Sequence, residues 1–363
     1  MIYLNYAALS PTCIEAEREI LKTLEEFKEF LYSDAGIQWY LTKSIEYRLA
    51  VAQMLHVEDP TTIAFVPNAS TAHHFVLSSF EWEPNDIVLT STHENPSIMR
   101  ELQRLAIKGV QIHTIAPTTP MKFSADVQQA ITTYHVKAIV LSHVSHVDGR
   151  ILPIKEISAM ARERHIPFIV DGAQAVGHIH VDLSQLNGAV YFFTGHKWCE
   201  GPLGTGAVVI TDQFQKLNPA LARMAKESGK PPARLFEIGT HNIGLIAGLA
   251  KACAMKHDEG LHNAKLEDFR RNAKERLGKC PANRFVEWEG PHAPGILTIQ
   301  GTSDIDHGEL AKHLVDNWNI VVKVFADYPE GVAPAIRLSW SATAPPQEVH
   351  DALDKIVDCF SSS

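Results

Sequence analysis

The sequence predicts an α/β protein with a mostly parallel central sheet, followed by a smaller α+β domain. Three observations carry this. For about two hundred residues, short apolar runs alternate with stretches of helical periodicity. Several of the runs are apolar on both faces, as strands covered by helices on each side must be. After about residue 215 the alternation stops and a polar, proline-containing stretch takes over.

The first helix is marked by Ile20, Leu21, Leu24, Phe27 and Leu31 at helical spacing. TIAFV (62–66) reads as a strand opening into Asn68-Ala69-Ser70-Thr71, a good helix start. DIVLT (86–90), a helical stretch through Leu102 and Leu105, and VQIHTI (110–115) follow. KAIVLS (137–142), IPFIV (166–170), AVYFFT (189–194) and GAVVIT (206–211) continue the series, linked by right-handed crossovers. Beyond Gly229-Lys230-Pro231-Pro232 come FEIGTHN, a helix near 243–257 and GILTIQG (295–301). A helix near 307–317, NIVVKV (319–324), AIRLSW (335–340) and a last helix from about Pro346 end the chain. The expected division is a large domain over 15–247 and a small one over 248–363, completed by residues 1–14.

The 363 residues suffice for two cores. A net charge of −9 gives no reason to expect nucleic acid or an anionic membrane as partner. No apolar run reaches membrane-spanning length, and the opening MIYLNYAALSPTC has neither a basic region nor an apolar signal core, which points to the cytoplasm. Cys13, Cys199, Cys253, Cys280 and Cys359 form no CxxC pair and read as reduced thiols. Among 19 histidines, His143-Val-Ser-His146 and His178-Ile-His180 have ligand-like spacing, but neither has a third ligand, so no metal is expected.

Open parallel sheets bind ligands at the C-terminal ends of their strands. Asp171 follows IPFIV, Lys197 follows AVYFFT, Asn68 to Thr71 follow TIAFV, and Ser142 to His146 follow KAIVL. An acid, a lysine, a phosphate-sized cradle and a histidine therefore gather at strand ends. Pyridoxal 5'-phosphate (PLP) requires such a set. Its aldehyde needs a lysine amine, and its pyridine nitrogen needs a carboxylate to stay protonated. Its phosphate needs helix N-terminal amides and hydroxyls.

From YLNYAALSP (3–11) to IRLSWSATAPPQEV (336–349) the chain resembles the class V aminotransferase and cysteine desulfurase group of fold-type I PLP enzymes. VDGAQAVGH, TGHKW with GPLGTG, FEIGTHN and IRLS are the most specific pieces. The resemblance implies a large domain with a mostly parallel, seven-stranded-type sheet and a smaller C-terminal domain. It implies Lys197 as the Schiff-base lysine, Asp171 as partner of the pyridine nitrogen and Gln174 as donor to the phenolic oxygen. It gives Ala69, Ser70, Thr194 and His196 to the phosphate, and Thr240 to the phosphate of a neighbouring subunit in a homodimer. Arg337 becomes the partner of the substrate carboxylate, with Asn5 and Ala8 of the opening motif beside the substrate.

Three positions depart from the family pattern. Glu94-Asn95 replaces Glu-His, so Asn95 stands where the family stacks a histidine on the ring, with His93 nearby. Ser145-His146 replaces Ser-Asn, making His146 a candidate acid/base group. The stretch IVVKVFADYPEGVAPAI (320–336) lacks the mobile cysteine with which desulfurases attack substrate sulfur. The expected reaction is a carbon–sulfur β-elimination on a small cysteine-derived amino acid, giving aminoacrylate, with Lys197 taking the α-proton. Transamination or epimerisation, desulfuration, and a degenerate PLP-binding protein without turnover stay open as alternatives.

Overall fold

A computed structural model describes residues 1–31, 33–186, 188–258, 263–280, 283–301, 306–326 and 334–362. The chain forms two compact units, one of Pro11–Val144 and Leu152–Leu261, the other of Met1–Ser10, Ser145–Ile151 and His262–Ser363.

The first strand, β1 (Ile2–Tyr3), belongs to the smaller unit, and the next seven build the sheet of the larger. These are β2 (Ile63–Val66), β3 (Ile87–Ser91), β4 (Gln111–Ile115), β5 (Val136–Ser142), β6 (Phe168–Asp171), β7 (Ala189–Thr194) and β8 (Gly206–Ile210). Their order is β2-β8-β7-β6-β5-β3-β4. From β4 to β7 every pairing is parallel, whereas β8 runs antiparallel to both β7 and β2. GAVVIT thus continues the sheet in the reverse direction. The eleven residues 195–205 form no helix that would carry the chain back for a parallel pairing.

Strands β5 to β8 are buried almost throughout, as their two-sided apolar patterns require. Val140, Ile169, Val190, Phe192 and Val208 pack with Val76, Leu102 and Phe214 in one core. The covering helices of this unit are α1 (Ile14–Phe30), α2 (Asp34–Leu55), α3 (Ala69–Ser78), α4 (Pro96–Ile107), α5 (Pro120–Thr133), α6 (Ile154–Glu163), α7 (Asp212–Leu217), α8 (Pro219–Ser228) and α9 (Ile243–Asp258). Asn68, Asn95 and Thr119 cap α3, α4 and α5 by accepting from early helical amides.

The boundary expected after residue 247 lies inside α9. That helix packs against α1 and α2, and its glycines allow the approach. A Cβ at Gly244 or Gly248 would come within 2.7 Å of the Leu24 or Ile20 side chain.

In the smaller unit β9 (Arg284–Phe285), β10 (Ile296–Gln300), β12 (Lys323–Phe325) and β13 (Ala335–Ser339) form an antiparallel sheet in the order β12-β13-β10-β9. Here β1 pairs in parallel with β11 (Ile320–Val321), and Asn5 bridges Ser339. Helices α10 (Asn263–Leu277), α11 (His307–Trp318) and α12 (Pro346–Ser362) cover a core that includes Leu297, Ile336, Leu338, Trp340 and Leu353. No helix among the described residues is long and apolar enough to cross a membrane.

Candidate active site

The larger unit places an anion cradle where β2 enters α3. Asn68 is extended, and its Oδ1 accepts from the Thr71 amide at 2.9 Å. The amides of Ala69 and Ser70, at the first two helical positions, have no protein acceptor among the described residues. An oxyanion suits that pair of donors and the positive end of the helix. Val66 and Thr194 both pair with Gly206 of β8, so the end of β2 and the end of β7 lie in one row. Gly206 has no room for a side chain, since a Cβ would lie 2.4 Å from the Phe193 carbonyl oxygen. Thr194 Oγ1 is 2.9 Å from His196 Nδ1. Burial, helped by the charge of Lys197, lowers His196 to about 4, so its ring is neutral at pH 7. A phosphate fits this donor set.

Asp171 ends β6 in register with Ser142 of β5 and Phe192 of β7. Its Oδ1 accepts from the Ala173 amide at 2.7 Å. Burial raises its pKa, while that amide and the charge of Lys197 pull the other way. A buried carboxylate so placed is stabilised by a cationic partner, which a protonated pyridine nitrogen supplies. Gln174 follows one turn on, its side-chain oxygen accepting from the Trp198 indole at 2.7 Å. Lys197, Asp171, Gln174, Thr194, His196, Ala69 and Ser70 therefore share the strand-end face of one unit. The strands that carry them are not all neighbours, because β8 lies between β2 and β7.

Behind this face lies a layer that strand-end reasoning missed. Glu94 is 0% exposed and accepts from Ser91 Oγ and Ser142 Oγ, each at 2.6 Å, and from the Ser142 amide at 2.9 Å. Burial pushes its carboxyl up to about 7. His143 Nδ1 lies 2.9 Å from the Tyr191 hydroxyl, and burial lowers this histidine to about 3, so it is neutral. The Tyr191 ring leaves no space beside Gly172, where a Cβ would fall 2.1 Å from it. His143 was visible only as half of a spaced histidine pair. Its partner is set by strand register, which one segment of sequence does not encode.

Asn95 caps α4, its Oδ1 accepting from the amide and the hydroxyl of Ser97 at 3.0 and 2.9 Å. Its side-chain oxygen is thus occupied locally, which leaves only the amide nitrogen for a cofactor. His93, the other group near the ring position, is half-buried, with Nδ1 3.2 Å from Thr92 Oγ1. Thr240 is exposed on the segment before α9.

The remaining predicted residues fall in the smaller unit. Arg337 of β13 is 3% exposed. Its Nη1 donates to the His146 carbonyl at 2.6 Å and its Nη2 to Asn5 Oδ1 at 2.9 Å. Its guanidinium lies 5.7 Å from the Phe325 ring centroid, and the His146 ring meets the same phenyl edge-on at 5.9 Å. No carboxylate pairs with Arg337 among the described residues, Nε has no partner there, and burial lowers its pKa to about 10. A planar carboxylate matches such a fork. Ala8 is exposed and closes a turn on Asn5, its amide donating to the Asn5 carbonyl at 2.9 Å. Of the loop 320–336, residues 327–333 lie outside the described residues.

A seven-stranded, mainly parallel sheet in an α/β unit is the fold of fold-type I PLP enzymes. The aminotransferase class-V family model matches residues 2–328, and the chain belongs to that family. It is 31% identical over 260 residues to a probable cysteine desulfurase of Pyrococcus abyssi, covering 68% of this chain and 63% of that protein. To the isopenicillin N epimerase of Streptomyces clavuligerus it is 26% identical over 325 residues, covering 82% and 81%. Among solved structures, the cystine C–S lyase C-DES bound to its product cysteine persulfide shares the fold. The TM-score is 0.81 at 23% identity, with 98% and 97% of the two chains covered. The chain spans 63% and 52% of the lengths of two probable cysteine desulfurases that it matches.

Proposed function

We propose that the protein is a carbon–sulfur β-lyase acting on a cysteine-derived amino acid. The observation that carries this reading is the state of its thiols. All five cysteines lie among the described residues, four buried and Cys13 partly buried. Burial raises the pKa of Cys13 and Cys359, and a hydrogen bond with Cys199, together with burial, raises that of Cys253, all away from the reactive thiolate. A desulfurase needs an accessible thiol to attack substrate sulfur, and the segment 320–336 contains no cysteine.

In this reading Ala69, Ser70, Thr194 and His196 hold the cofactor phosphate, Asp171 faces the pyridine nitrogen and Gln174 the phenolic oxygen. Asn95 lies by the ring. Bound PLP supplies an electron sink for the pair left at the substrate α-carbon. Arg337, steadied by Asn5 and the His146 carbonyl, binds the substrate carboxylate near Ala8. The Lys197 amine takes the α-proton. The Cβ–S bond then breaks, the thiolate leaves with the bond pair, and hydrolysis of the remainder yields pyruvate and ammonia. The His146 ring is the candidate donor of a proton to the departing sulfur.

Desulfuration is the second reading, favoured by the likeness to the probable cysteine desulfurase. The epimerase relative keeps α-proton chemistry without C–S cleavage open as a third. A panel of sulfur amino acids separates them, scored for pyruvate, alanine, keto acid and inverted substrate. Pyruvate with ammonia supports the lyase, and alanine as main product refutes it.

We also infer a homodimer. Ile37, Leu41 and Ile45 of α2, spaced four apart, are 44–56% exposed, too apolar a stripe for open solvent. They line a groove of about 930 Å³ that also includes Thr240, the residue read as serving a neighbour's phosphate. Cytoplasmic residence is supported by five cysteines that form no disulfide among the described residues.

A further inference from the structure

Trp198 follows the candidate cofactor lysine directly, and its side chain turns back onto the Gln174 segment. The indole Nε1 lies 2.7 Å from Gln174 Oε1, and the two residues are 4% and 5% exposed. An indole nitrogen only donates, so the atom facing it must be the amide oxygen. The Nε2 end of Gln174 is thereby turned away from Trp198. The indole is held in turn. It stacks on the His178 imidazole with centroids 3.6 Å apart at 13°, and His178 Nδ1 is 3.0 Å from the Gln174 carbonyl oxygen. Gly177 has φ +84°, and a Cβ there would lie 2.5 Å from the Trp198 carbonyl carbon. Cys199 Sγ reaches the Val176 carbonyl at 3.5 Å. The VDGAQAVGH and TGHKWC segments are interlocked through this contact.

We propose that Trp198 is a positioning residue that fixes the Gln174 amide in one orientation, so that Gln174 presents a hydrogen-bond donor to the phenolic oxygen of the cofactor. This rests on the reading above that Gln174 faces that oxygen. An amide free to rotate would offer oxygen as readily as nitrogen, and oxygen beside a phenolate repels it. A donor stabilises the phenolate most once the nitrogen joining cofactor to Lys197 has lost its proton, because the compensating positive charge is then gone. The donor therefore lowers the pH at which that proton leaves, and its loss raises it.

The test is a pH titration of the visible absorption band of PLP-loaded protein without substrate. Trp198→Phe keeps a ring against His178 and removes the N–H. Replacing Trp198 by 3-benzothienylalanine removes the N–H while keeping the indole shape, and serves if the phenylalanine variant folds poorly. Gln174→Met removes the amide. Each single variant is expected to raise the midpoint by about one pH unit. Adding Trp198→Phe to Gln174→Met should raise it no further. A midpoint that moves in Gln174→Met but stays in both Trp198 variants overturns the positioning role and leaves the Gln174 reading intact. A midpoint unmoved in Gln174→Met overturns both.

Discussion

The side-chain oxygen of Asn5 accepts from Arg337 Nη2 at 2.9 Å, tying the N-terminal segment to the one buried guanidinium of β13. The other contact of that fork is the neutral His146 carbonyl at 2.6 Å. Two neutral oxygens orient the cation without cancelling its charge, which keeps it available to an anion. Arg337→Lys should raise KM roughly a hundredfold, the worth of charged hydrogen bonds, with a smaller effect on kcat. Asn5→Ala should act in the same direction by tenfold or less. Steady-state kinetics on the best substrate checks both, and an unchanged KM in Arg337→Lys would remove Arg337 from the carboxylate site.

Purified protein should be yellow, and borohydride reduction followed by peptide mapping should place the pyridoxyl group on Lys197. Asp171→Asn should keep bound cofactor while turnover falls roughly a thousandfold, since an uncharged ring partner no longer favours the protonated nitrogen. A label on another lysine would overturn the assignment.

Glu94 gives a pH dependence of stability with a definite sign. Its pKa rises from 4.5 to about 7 on folding because burial disfavours the carboxylate. Between those values the folded state binds more protons than the unfolded, so this contribution declines as pH rises from about 4.5 to about 7. Buried His143, lowered to about 3, contributes in the opposite sense over part of that range. Comparison with Glu94→Gln isolates the carboxyl. In urea unfolding of cofactor-free protein, the stability of Glu94→Gln relative to wild type should improve between pH 5 and pH 8. A pH-independent difference would show that Glu94 stays ionised when buried.

Much of this site is local in sequence and some is not. Asp171, Lys197 and Asn68 to Ser70 stand at the ends of apolar runs, where a parallel sheet presents its ligands, so pattern alone isolates them. Glu94 bonding Ser142, and His143 facing Tyr191, depend on which strands become neighbours. β8 reversed direction because a short loop, and no helix, separates it from β7. Asn95 read as a cofactor group from its position, yet its oxygen serves the helix that begins beside it.

The exposed α2 stripe bears on assembly. Leu41→Asp with Ile45→Asp alters only surface positions of that helix, so the fold should persist while sedimentation shifts from dimer to monomer. Cofactor affinity should fall with it if Thr240 serves a neighbour. An active wild-type monomer would contradict the shared site.

The most direct measurement is the ratio of pyruvate to alanine formed by a variant in which all five cysteines are replaced by serine or alanine. In β-elimination no protein thiol takes part, because the substrate expels its own sulfur. Pyruvate should therefore remain the main product, with kcat within a few-fold of wild type once losses of stability at the buried positions are allowed for. Alanine as the main product of the wild type, abolished when one cysteine is removed, would contradict the lyase and establish attack by an enzyme thiol.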